Sequence, residues 1–155
     1  MQKTSINEGV VVIEGHVQGL ANTRSLGEAG IPVIVVDTGS CLARYSKYCV
    51  KFFRCPPYLS DEFIDFLIEL CDREELDDWV LLPSNDYAVF NLSKNLSRIQ
   101  KVYKTVVPVF DVFQKIYNKA NLNKMAHATN VSVPESNYPL DYNKIPKNLP
   151  FPCMV

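Results

Sequence analysis

Two runs of β-branched residues stand out against an otherwise mixed pattern: Val10-Val11-Val12-Ile13 and Val33-Ile34-Val35-Val36. Unbroken apolar runs of this length read as strands buried on both faces. Between them, Gly15 to Gly19 reads as a turn. Leu20 to Ala29 has helical spacing, with Leu20, Thr23, Leu26 and Gly27 on one stripe and Gly30 as its stop. Pro32 opens the second strand and Asp37 closes it. A strand-helix-strand unit this compact predicts a parallel pair with a right-handed crossover.

Further along, Cys49 to Phe53 reads as a short strand ended by Pro56-Pro57. Ser60 is placed to cap a helix whose apolar stripe is Phe63, Phe66, Leu67 and Leu70. Trp79 to Leu82 predicts another strand, Pro83 to Asp86 a loop, and Tyr87 onward a helix into the nineties. Val106 to Val109 predicts a strand with Pro108 at its end. Asp111 is placed to cap a helix through Tyr117. A last helix runs from Leu122 to Thr129, closed by Asn130, and Pro134 begins an extended segment. Four prolines between Asn137 and Pro152 prevent a long helix there, and Phe151 to Val155 reads as the opening of a strand. Strands alternating with helices predict an open α/β sheet of Rossmann-like, mostly parallel type.

Composition narrows the classes. The chain has 155 residues, 47% hydrophobic and 21% charged, with 16 basic against 17 acidic side chains. That is ample apolar material for a core and excludes disorder as a description of the whole. Near-neutral charge gives no field argument for nucleic acid or an anionic membrane. No apolar run approaches the ~20 residues of a bilayer span. The N-terminal stretch carries Glu8 and Glu14 and does not read as a secretory signal. Five cysteines without CxxC spacing read as reduced thiols of a cytoplasmic protein. His16 and His127 lie far apart and far from any cysteine pair, so no metal site is expected. Asp72, Glu74, Glu75, Asp77 and Asp78 read as a solvated charge run.

In open sheets, ligands sit beyond the carboxyl ends of the strands. The candidates on those loops are Gly15, His16 and Gly19, then Asp37, then Ser84, Asn85 and Asp86. The first loop resembles a phosphate loop entering a helix, but it is GxxxG rather than GxGxxG. It reads either as an anion site or as a tight strand-to-helix turn. His16 has no Ser or Cys partner nearby in sequence. Asp37 stands 22 positions after Gly15, where a nicotinamide-binding domain places a ribose-binding acid; a solvent-facing turn residue is the other reading. Asp86 is placed either to cap the following helix or to face a small polar ligand. Arg24, in the first helix, reads either as a solvated face residue or as one turned toward the loops; Arg44 lies in a polar stretch after the second strand, and Lys119 reads on spacing alone as solvated.

Five stretches in order carry a resemblance: Arg24 to Val33 followed by Val35-Val36-Asp37; Ala43-Arg44-Tyr45-Ser46-Lys47-Tyr48; Leu81-Leu82-Pro83-Ser84-Asn85-Asp86; Asn118-Lys119, a helix and Val131-Ser132-Val133-Pro134; and Leu149 to Val155. Together they resemble the N-terminal, pre-ATP-grasp part of ATP-grasp carboxylate–amine ligases, the group related to the large chain of carbamoyl-phosphate synthase. Asn118 stands where that family usually has Asp. The resemblance implies a pre-ATP-grasp domain over residues 1–117. A linker helix and the start of an ATP-grasp domain then follow over 118–155. It also implies ATP and Mg2+ as cofactors of the full-length protein, and small carboxylate and amine substrates joined through an acyl phosphate. Lys119 would bind the nucleotide phosphates. No nucleic-acid or membrane partner is implied, and a homodimer is compatible with it. In the family the last stretch runs into a phosphate-gripping lysine, so the chain reads as a fragment, inactive alone, with no catalytic residue of its own. Two other classes stay open: a free-standing Rossmann-like nucleotide binder, and a non-catalytic α/β interaction domain.

Overall fold

A computed structural model describes residues 8–134, 136 and 144. The chain divides into two units, Met1–Gln114 and Lys115–Val155. The first is an α/β unit. Its elements are β1 (Val10–Ile13), α1 (Val17–Glu28), β2 (Val33–Asp37), a 3-10 turn (Ala43–Tyr45), β3 (Cys49–Arg54), α2 (Glu62–Glu74), β4 (Val80–Pro83), α3 (Asp86–Lys94), α4 (Leu96–Ile99) and β5 (Lys104–Thr105). Helix α5 (Phe110–Tyr117) follows, then α6 (Lys119–Ala128) in the second unit.

All five strands are parallel, in the order β3-β2-β1-β4-β5. The central strand β1 pairs Val10 with Val33 on one side and Val80 on the other. Its four residues are all buried, and so are the five of β2. The alternation of side chains explains why these runs are unbroken. Val11, Ile13, Ile34 and Val36 face Phe63, Ile64, Leu67 and Leu70 of α2 and Ala88 and Leu92 of α3. Val10, Val12, Val33 and Val35 face the other way, toward Leu20 and Leu26 of α1 and toward Cys41 and Ala43. Each fully buried side chain of this size contributes roughly 1.5–3 kcal/mol, so both helical layers are held by the same two strands. Gly30, at φ +80, takes the left-handed turn that ends α1.

The fold class expected from the pattern is the one observed, and several boundaries differ. The fifth strand is Lys104–Thr105, not Val106–Val109. Val106 is 83% exposed, and the Val107 amide turns back to Thr105 Oγ1 at 3.4 Å, so the chain leaves the sheet before the valines. Helix α1 begins at Val17, ahead of Leu20, because Val17 and Gln18 form an exposed first turn that apolar spacing cannot register. Asp61, not Ser60, stands at the start of α2. Asn85, not Asp86, caps α3, its side chain accepting from the Ala88 amide at 2.8 Å. Helix α5 starts at Phe110, so Asp111 lies inside its first turn rather than at its cap. The last helix starts at Lys119, three residues ahead of Leu122. Asn118 caps it, accepting from the Ala120 and Asn121 amides. The proline-rich stretch from Asn137 to Pro152 and the strand expected at Phe151 to Val155 lie outside the described residues, Lys144 apart.

Candidate functional site

Strand order reverses between β1 and β4, because the chain builds outward through β2 and β3 and then returns to the other flank of β1. Such a switch point opens a crevice beyond the carboxyl ends of the strands. Three loops meet that edge: Glu14 to His16 after β1, Asp37 to Gly39 at the end of β2, and Ser84-Asn85 after β4. Backbone bonds hold them in step, from the Glu14 amide to Val36 O at 2.9 Å and from the Ser84 amide to Ile13 O at 2.9 Å. Asn22, on α1, donates to Ser84 Oγ at 3.2 Å and ties the helix to the β4 loop.

The first loop brings its own anions. Gly15 donates its amide to Asp37 Oδ2 at 2.8 Å, in a buried bond, and Gly39 donates to Asp37 Oδ1 at 3.0 Å. The His16 amide donates to Glu14 Oε1 at 3.0 Å. Two amides that a phosphate loop would offer to a ligand are therefore already taken by carboxylates. A phosphate at this spot would also meet two negative side chains. Glu14 sits at φ +72, a region that non-glycine residues rarely occupy, at a cost of order 1–3 kcal/mol. Its carboxylate is nevertheless buried, and its second oxygen, Oε2, has no hydrogen-bond partner among the described residues.

Gly19 is placed by close approach. A Cβ on it would lie 1.8 Å from Glu14 O, so only glycine lets α1 run this near the end of β1. The next turn is pinned by Thr23, whose buried hydroxyl donates to Gly19 O at 2.7 Å.

The thiols nearby are not poised as nucleophiles. Burial pushes Cys55 up to about 12, and the Asp37 carboxylate adds to the shift. Burial raises Cys41 as well, against some relief from backbone amides. The Tyr58 hydroxyl is likewise pushed up by burial first and then by Asp37. All three stay protonated at neutral pH.

Of the residues singled out in the sequence, Gly15, His16 and Asp37 are brought together. Gly19 sits in the first turn of α1, and Ser84 and Asn85 stand at the same sheet edge. Asp86 is exposed in the first turn of α3, Arg24 is exposed on α1, and Lys119 is the exposed first residue of α6 in the second unit. Glu14 was not among the sequence candidates. A carboxylate at a strand's end is an ordinary turn residue in sequence, and nothing in the letters shows that it folds inward.

A scan against protein-family models and a search of curated proteins found no match. Solved structures do match. One is the biotin carboxylase domain of a single-chain bacterial carboxylase, at TM-score 0.53 and 16% identity, covering 88% of this chain and 32% of that one. Another is the biotin carboxylase domain dimer of Hydrogenobacter thermophilus 2-oxoglutarate carboxylase, solved with MgADP, ADP and bicarbonate. It matches at TM-score 0.52 and 13% identity, over 79% of this chain and 27% of that one. The biotin carboxylase domain of a thermophilic 2-oxoglutarate carboxylase bound to bicarbonate matches at the same TM-score and identity. The chain spans 27–32% of the length of these structures. At these identities the likeness is one of fold: an open parallel sheet of the pre-ATP-grasp type, as in biotin carboxylase domains. No helix among the described residues is long and apolar enough to cross a membrane.

Proposed function

We propose that this chain supplies the substrate-cleft domain of an ATP-grasp ligase that joins a carboxylate to an amine through an acyl phosphate. The observation that carries the reading is the parallel order β3-β2-β1-β4-β5, with three loops gathered at the β1/β4 switch point. Biotin carboxylase domains, one of them solved with MgADP, are similar to this chain in fold. The motif order from Arg24 to Pro134 supports the finer relation, to the carbamoyl-phosphate synthase group. In this reading residues 1–117 form the pre-ATP-grasp domain and 118–155 open the ATP-grasp domain. ATP and Mg2+ act in the full-length protein, in the cytoplasm, with a homodimer as its assembly.

Phosphoryl transfer needs cations around the phosphates. The β1 loop does not offer them: its Gly15 and His16 amides are already taken by the carboxylates of Asp37 and Glu14. In this reading its part is to wall the cleft, with Gly15, His16, Gly19, Asp37, Ser84, Asn85 and Asp86 along the edge. Lys119 reaches the nucleotide phosphates from the entry of α6. The 155-residue chain by itself turns over neither ATP nor a ligase substrate.

The test is ADP release by the intact protein with magnesium-ATP, across a panel of carboxylates and amines. Turnover that needs both a carboxylate and an amine supports the proposal; none across a broad panel, together with no ATP binding, overturns it. A free-standing dinucleotide binder is the competing reading. It is met by titrating NAD and NADP, where micromolar affinity, about −8 kcal/mol, would favour it.

A further inference from the structure

The carboxylates of Glu14 and Asp37 and the ring of His16 each place a potential ligand atom within 4.8 Å of the others. Glu14 and Asp37 are only 9% and 3% exposed. No lysine or arginine among the described residues forms a salt bridge with either one. Two buried carboxylates side by side without a countercharge are costly, because desolvation and mutual repulsion add. Glu14 Oε2 is sealed from solvent and has no hydrogen-bond partner among the described residues, so one acceptor of the pair is left open.

We propose that Glu14, His16 and Asp37 bind one divalent first-row transition cation. The charge balances, since two carboxylates and a neutral imidazole bring −2 to a dication. The donor set suits it too: carboxylate oxygens with one imidazole nitrogen fit Mn2+ or Zn2+ better than an all-oxygen Mg2+ shell. Two ligands of one ion at bonds of about 2.0–2.2 Å lie roughly 3–4 Å apart. The shell behind the ligands is already built. Amides of Gly15 and Gly39 fix both oxygens of Asp37, and the His16 amide fixes Glu14 Oε1, leaving Oε2 for the ion. His16 is exposed, so solvent positions complete the coordination. The sequence gives no sign of this site, because two ligands come from the loop after β1 and the third from the end of β2, which only the parallel pairing brings together. The inference does not depend on the ligase reading.

The experiment titrates Mn2+ alone into the chelator-treated 155-residue chain, without nucleotide, and follows free Mn2+ by electron paramagnetic resonance. One Mn2+ bound per chain is expected, displaced by Zn2+ and accompanied by a higher melting temperature. His16→Ala removes an exposed ligand without touching the core and is expected to weaken binding about tenfold or more. Glu14→Gln keeps the shape of the side chain, and the same loss is expected. No uptake at millimolar Mn2+ or Zn2+ overturns the proposal, as does uptake that His16→Ala leaves unchanged. Should Glu14→Gln fail to fold, His16→Ala alone decides.

Discussion

The Gly15 amide and the Asp37 carboxylate meet at 2.8 Å in a buried bond that joins the ends of the two most buried strands. Asp37 spends its other oxygen on Gly39. The residue at the place of a ribose-binding acid is thus turned inward, holding two loops of its own chain.

Replacing Asp37 with Ala leaves the buried Gly15 amide, and that of Gly39, without an acceptor. A loss of about 2–3 kcal/mol in urea unfolding is expected, as for charge-assisted bonds. A solvated turn residue would lose under ~0.5 kcal/mol.

Gly19→Ala puts a methyl group 1.8 Å from Glu14 O, against backbone that can yield only by moving α1 off the strand. A loss of about 1–3 kcal/mol or more follows from such overpacking. Gly39→Ala is the control. Its Cβ meets nothing within 4 Å, and a change under ~0.5 kcal/mol is expected. Equal effects at the two positions would contradict the close approach.

Cys55 gives a pH dependence of known sign. Its folded pKa is raised to about 12 from the ordinary 9.0. Above the unfolded value the unfolded chain gives up this proton while the folded chain keeps it. The contribution is therefore complete below about pH 9 and is lost as pH rises toward 12. Denaturant midpoints measured across that window should fall with pH, and more gently in Cys55→Ala. Parallel curves for the two proteins would show that burial does not hold the thiol's proton.

What the sequence disclosed and what it hid have physical reasons. Val10–Ile13 and Val33–Val36 were legible because a strand covered on both faces must be apolar throughout. Val106 to Val109 misled for the same reason: β-branched residues carry strand propensity wherever they stand, and only the sheet's edge at Thr105 decides that they stay outside. Caps were ambiguous between neighbours, Asn85 against Asp86, because both side chains can accept the same amides. At the site, Gly15, His16 and Asp37 could be named from their positions at strand ends. The role of Glu14 could not, since it depends on a positive φ and on the register between β1 and β2.

The proposed ATP-dependent ligase activity is tested most directly at Lys119. Asn118 caps α6 and leaves Lys119 as its first residue, which is where the family resemblance places a phosphate contact. A lysine–phosphate pair is worth on the order of 2–3 kcal/mol when partly desolvated. ATP affinity and melting temperature, measured on the intact protein and on Lys119→Ala, should show affinity weakened roughly 30- to 150-fold with the melting temperature unchanged. Unaltered ATP affinity in the variant, or no ATP binding by either protein, would contradict a nucleotide-phosphate contact at Lys119 and the ligase proposal with it.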